Sequence, residues 1–149
     1  MKTDILSFGQ ITYHLYVKLF EPLLDAHGIT QMEIDILLFL ANNPEYDTAA
    51  QLVSVRLLTK SHVSIAIASL VNEGYLERYY EKDNKKTIHL RLLTKADPLI
   101  EAGRGVQKQF RKLIFNDFKD NEVEALLALM NRVHRNTKEA YTMCLKGEL

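Results

Sequence analysis

Thr59-Lys60-Ser61-His62-Val63-Ser64 opens a helix, and the rest of the chain falls into place around it. Thr59 carries a hydroxyl at an N-cap position. Beyond it Val63, Ile67, Leu70 and Val71 recur at helical spacing, which predicts an amphipathic helix to about Asn72. Lys60, Ser61, His62 and Ser64 fall off that apolar stripe. Gly74 ends the helix, and two extended runs follow, Tyr75–Glu81 and Lys86–Leu92. In the second, Ile88, Leu90 and Leu92 alternate with His89 and Arg91, as a half-buried strand requires. Lys82-Asp83-Asn84-Lys85 between the runs has turn chemistry.

Working upstream, Asp47 is placed to cap a short helix from Thr48 to about Ser54, with Val55-Arg56-Leu57-Leu58 as a tight link. Before it, Thr30 and Glu33 have the spacing of a capping box. Ile34, Leu37, Leu38 and Ala41 then form a buried stripe, and Asn42-Asn43-Pro44 stops the helix. The first helix shows Ile5, Phe8, Ile11, Leu15 and Leu19 at three- and four-residue spacings. Pro22 is expected to kink or end it near Phe20 or Glu21. Leu23 and Leu24 continue its apolar face, and Gly28 is a C-cap. Downstream, Thr94 should cap a helix over about 95–118 that turns Leu99, Val106, Phe110, Leu113 and Ile114 to one side. Asp120 should cap the last helix, with Val123, Leu126, Leu127, Met130, Val133, Thr137 and Tyr141 in step.

Short helix, tight turn, capped helix and hairpin is the order of a winged helix-turn-helix. The expected class is mostly α with a small β-hairpin wing. Its 149 residues form one domain, with the winged-helix lobe at about 30–93 and long helices at about 1–28 and 95–149. Apolar residues make up 47% and charged residues 26%, which excludes a disordered or low-complexity chain. One cysteine, Cys144, excludes an intramolecular disulfide framework and points to a reducing compartment, the cytoplasm. The first residues lack the apolar core of a signal peptide, and no apolar run is long enough for a membrane span.

The net charge is zero, but it is unevenly spread. Residues 1–53 carry two Lys and seven acids, net −5. Residues 54–95 carry eight Lys or Arg and four acids, net +4. The basic third therefore coincides with the capped helix at Thr59 and the hairpin after it. A helix entering the major groove needs short polar or cationic side chains near its N-terminus, where they meet base edges. Lys60, Ser61, His62 and Ser64 supply them. A hairpin tip with Lys82, Asn84, Lys85 and Lys86 suits the phosphate backbone or minor groove. The expected partner is double-stranded DNA.

Five short pieces, in order, resemble the MarR-type transcriptional regulators. They are His27-Gly28-Ile29-Thr30 before the second helix and Leu58-Thr59-Lys60-Ser61-His62-Val63 at the recognition helix. Leu70-Val71-Asn72-Glu73-Gly74-Tyr75 leads into the wing, Asp83-Asn84-Lys85-Lys86 forms its tip, and Leu93-Thr94-Lys95-Ala96 opens the long helix. The resemblance implies an obligate homodimer with intertwined first and last two helices and two wings on a palindromic operator. It also implies repression, with release of DNA when a small-molecule effector binds; the sequence assigns no effector site. The chain departs from the family by carrying Ile65-Ala66-Ile67-Ala68 where an Arg is usual, and Lys85 and Lys86 where the wing has Arg.

Other readings compete. A winged helix can serve protein–protein assembly without DNA, which the neutral charge and the missing Arg favour and the basic third opposes. Cys144 reads as a redox sensor or as a small apolar filler. His14 lines a ligand pocket or packs against a dimer mate. His14, His27, His62, His89 and His134 lack the i, i+4 spacing of a metal site, so no metal or cofactor is expected. No GxSxG, Walker A, GxGxxG or HExxH is present, and no enzyme is expected. Gly103 and Gly105 inside a helix mark either close packing or a hinge.

Overall fold

The computed structural model describes residues 4–56 and 58–149. Leu57, part of the link expected before the recognition helix, lies outside them. Helices α1 (Ile5–His27), α2 (Gln31–Asn42), α3 (Ala49–Arg56) and α4 (Lys60–Asn72) precede the strands β1 (Leu76–Glu81) and β2 (Asn84–Leu92). A 3-10 turn, Thr94–Ala96, leads into α5 (Asp97–Ile114), and α6 (Asp120–Lys146) follows. The chain forms two compact units, one up to Phe110 and one from Arg111 to Leu149. The described elements are those expected: mostly helical, with one antiparallel hairpin.

The first unit is built around α2. The Thr30 hydroxyl accepts the Glu33 N–H at 3.2 Å, and the Glu33 carboxylate accepts the Thr30 N–H at 2.7 Å. This capping box starts the helix where the sequence places it. The apolar spacing predicts a single buried stripe, but Ile34, Ile36, Leu37, Leu38, Phe39 and Leu40 are all buried. Helix α2 is therefore a central helix, covered on several sides by α1, α4 and β2. Val63, Ala66, Ile67 and Leu70 of α4, Leu52 of α3, Leu76 of β1, Leu90 of β2 and Leu99 and Ile100 of α5 complete the core.

Several boundaries differ from expectation. Helix α1 is not ended by Pro22; it runs through it for 23 residues. An interior proline costs about 3 kcal/mol. The fully buried Phe20 and the half-buried Leu23 and Leu24 flank it, and their burial against the core offsets that cost. Gly28 caps the helix as expected, at φ 63°, with its N–H on the Leu24 carbonyl. Asp47 does not cap α3. The Thr48 hydroxyl accepts the Gln51 N–H at 3.2 Å, and the Gln51 side chain accepts the N–H groups of Asp47 and Thr48 at 2.9 and 3.0 Å. Val55 and Arg56, expected in the link, belong to α3. Thr59 holds the N-cap position of α4 without a side-chain bond, and the Val63 N–H reaches only its carbonyl.

Thr94 likewise does not cap the long helix; it lies within the 3-10 turn, and α5 begins at Asp97 and ends at Ile114. Asp120 is the first residue of α6 rather than its cap, and the Glu122 carboxylate accepts the Lys119 N–H at 2.8 Å. Gly103 is buried, and a Cβ there would stand 3.0–3.3 Å from the Leu38 side chain. Close packing therefore explains Gly103. Gly105 faces open space, so only Gly105 retains the hinge reading. In the second unit α6 carries Val123, Leu126 and Leu127 half-buried, while Met130, Val133 and Tyr141 of the same stripe are exposed. Cys144 is exposed in the single chain too.

Candidate nucleic-acid interface

Helix α4 has two chemically distinct sides. Val63, Ala66, Ile67 and Leu70 are buried against α2, α3 and β1. Lys60, Ser61, His62, Ser64, Ile65 and Ala68 are exposed. Every residue expected to meet DNA from this helix is therefore open to solvent. The first turn of a helix leaves N–H groups without a partner inside the helix, and such groups favour an anionic oxygen.

The hairpin pairs Leu76 with Leu92, Glu77 with Arg91, Arg78 with Leu90, Tyr79 with His89 and Glu81 with Asn84. Lys82 and Asp83 make the turn, and the register slips between Tyr79 and Glu81. Lys82, Lys85 and Lys86 are exposed. Asn84, expected among the DNA-contacting residues, uses its side chain within the turn. Its oxygen accepts the Lys86 N–H at 3.0 Å and its amide donates to the Thr87 hydroxyl at 3.2 Å. That arrangement orders the tip and holds the adjacent lysines on a defined backbone.

The hairpin is tied to the α2–α3 connection by a cluster that sequence patterning does not reveal. The Asp47 carboxylate accepts the Tyr79 hydroxyl at 3.0 Å and stands 2.9 Å from His89 Nδ1. The Leu90 N–H donates to the Asp47 carbonyl at 2.6 Å. Tyr79 and His89 are cross-strand neighbours with ring centroids 5.3 Å apart, and the Arg91 guanidinium lies 4.4 Å from the Tyr79 ring centre. The hydrogen bond to Asp47, the larger cause, and burial push the Tyr79 phenol above its ordinary pKa. Thr48 takes over the capping role expected of Asp47, and Asp47 becomes the anchor of the wing. Alternation holds along β2 at Leu90, Arg91 and Leu92 but departs at Ile88 and His89. It predicts His89 on the polar face, yet the His89 side chain is only 12% exposed, whereas Ile88 is 41% exposed.

Ile88 is exposed because it lines a cleft of about 400 Å³ between α3, α4 and the hairpin. Ala49 and Val53 of α3, Ser64 and Ile67 of α4, and Leu90 of β2 make its mainly apolar wall, and Lys60 and Arg78 add cationic groups. On the other side of α2, the Tyr16 hydroxyl accepts from the Gln107 amide at 3.2 Å. Asp35 nearby accepts from the Gln31 amide at 3.0 Å, and burial pushes its carboxyl above the usual range. His14 sits 6.5 Å from the Tyr13 ring on an exposed stretch of α1.

Helices α2 to α4 followed by a two-stranded hairpin define a winged helix-turn-helix. Residues 27–85, from the end of α1 into the hairpin, match the MarR family model. No curated protein matches the chain. Among solved structures, it is similar to a MarR family transcriptional regulator from Listeria monocytogenes complexed with a 26mer DNA. The TM-score is 0.86 at 19% identity, over 100% of this chain and 98% of that one. S. aureus MepR, in a DNA complex, is similar at TM-score 0.74 and 17% identity, over 92% of this chain and 99% of that one. Bordetella bronchiseptica BpsR, whose DNA binding is regulated by 6-hydroxynicotinic acid, is similar at TM-score 0.71 and 14% identity, over 89% and 99%. At these identities the likeness establishes the shared fold. No helix among the described residues is long and apolar enough to cross a membrane.

Proposed function

We propose that this chain is a DNA-binding transcriptional regulator that acts as a homodimeric repressor of a palindromic operator. The observation that carries the reading is helix α4. Its inner side is packed into the core, while Lys60, Ser61, His62 and Ser64 stand exposed at its N-terminal end. Those are the positions from which a recognition helix reads base edges in the major groove. The exposed Lys82, Lys85 and Lys86 supply the wing with phosphate contacts, and the Asp47 cluster holds the wing strands to the same lobe. Lysine contributes point charges there, so the wing adds salt-dependent affinity more than base discrimination.

The dimer is supported by apolar side chains that this chain leaves uncovered. Ile5, Phe8 and Ile11 on α1 and Met130 and Val133 on α6 are all exposed. Two copies related by a two-fold axis read half-sites about 34–36 Å apart, or a multiple of that, which makes the operator a palindrome. Release by a small molecule is part of the same reading. An apolar, anionic compound seated in the cleft between α3, α4 and the hairpin would wedge α4 away from the wing and alter both sets of DNA contacts.

The test is fluorescence anisotropy with duplex DNA across a salt series. Binding should weaken steeply with salt, and Lys85→Ala with Lys86→Ala should lower the slope by about 0.9 for each phosphate that is no longer neutralised. His62→Ala or Ser64→Ala should change sequence preference instead. An unchanged slope in the double lysine variant removes the wing from the interface. No binding at any salt concentration leaves the assembly reading in its place.

A further inference from the structure

Ile65 is the exception on the polar side of α4: an isoleucine with 70% of its surface exposed, in the second turn of the helix expected to enter the groove. Apart from His62, three residues before it, its exposed neighbours are small. Ser61 stands four residues before it, Ser64 one before and Ala68 three after, and all are exposed. Ile65 and His62 are therefore the large side chains of that face, and the small Ser61, Ser64 and Ala68 beside Ile65 allow it a close approach to a surface. The side chain has no donor or acceptor, so it reads neither a phosphate nor the polar edge of a base. Lys60 and His62 flank it, with Lys82, Lys85 and Lys86 on the hairpin, so the surface it meets is anionic. The apolar group that an anionic duplex presents in its major groove is the C5 methyl of thymine. Between Ser61 and Asn72 the helix has no Arg, Lys, Gln or Glu to make a bidentate base contact.

Building on the DNA-binding reading, we propose that Ile65 is a specificity-determining residue that selects thymine by packing on its methyl group in each operator half-site. Polar contacts from Lys60, Ser61 and His62 would set the helix in place, and Ile65 would discriminate by shape and desolvation.

The experiment selects duplexes from a random library with the wild-type protein. Each thymine of the enriched half-site is then replaced, one at a time, by deoxyuridine, which removes the methyl and nothing else. One position should lose about fourfold in affinity per half-site, the ratio that burial of a single methyl-sized group supplies. Ile65→Ala should abolish that penalty while leaving thermal stability and the salt slope unchanged, since the side chain lies outside the core. Ile65→Val should retain most of it. If a duplex is enriched but tolerates deoxyuridine at every position, the inference falls and DNA binding stands. The same holds if the penalty is undiminished in Ile65→Ala. If no duplex is enriched, the DNA-binding reading falls and takes the inference with it.

Discussion

Gly103→Ala and Gly105→Ala should have different consequences although the two glycines share one helix. Each substitution removes backbone freedom from the unfolded chain, and in an open helix position that stabilises by about 1 kcal/mol. Around Gly105 a new Cβ meets nothing within 4 Å, so this gain should be realised. Around Gly103 the Cβ would lie 3.0 Å from Leu38 Cδ1, 3.1 Å from Cδ2 and 3.3 Å from Cγ. Leu38 is 2% exposed and packed in the core, so its side chain must shift within the core to make room. Overpacking of this kind costs about 1–3 kcal/mol. Gly103→Ala should then be neutral to about 2 kcal/mol destabilised, and the two variants should differ by about 1–3 kcal/mol. For a domain of this size that is roughly 2–12 °C in Tm. Thermal and urea denaturation at one fixed protein concentration would measure it, because association also raises Tm. Equal stability of the two variants would refute the packing of α5 on Leu38. If Gly105 is a hinge between lobes, Gly105→Ala should also shift operator affinity; a more stable protein with unchanged affinity rejects the hinge.

Light scattering at micromolar concentration should show a homodimer, and a folded monomer would remove the intertwined-helix reading. Asp35→Asn should raise stability at neutral pH. Burial lifts the Asp35 carboxyl above its ordinary value, so the folded chain holds that proton to higher pH than the unfolded chain does. Its contribution is thus present below the unfolded pKa and lost as pH rises through the folded one. Denaturation from pH 3 to pH 8 should show that loss in the wild type and not in the variant. Tyr79 should ionise late in an ultraviolet titration, and Asp47→Ala should bring it back toward the other tyrosines, since the Asp47 hydrogen bond is the leading cause of the shift. Asp47→Ala should also weaken DNA binding by loosening the wing, with the salt slope retained.

Local chemistry determined much of this protein directly. The capping box at Thr30 and Glu33, the αL cap at Gly28 and the apolar spacing of Val63, Ile67 and Leu70 are short-range features, and each stands where its residues place it. The exposure of Lys60, Ser61, His62 and Ser64 follows from the same spacing, because a helix that buries one stripe must turn the other outward. Tertiary structure decided the places where distant groups compete for one residue. Pro22 stays inside a helix because Phe20, Leu23 and Leu24 are covered by the core, an energy invisible in a short stretch of sequence. Asp47 leaves its helix-capping role because Thr48 and Gln51 satisfy the local donors and Tyr79 and His89, 32 and 42 residues away, approach its carboxylate. His89 is covered because Asp47 and Tyr79 approach it, and Ile88 is open although it shares a strand face with the buried Leu90, because it lies where that face opens on the cleft.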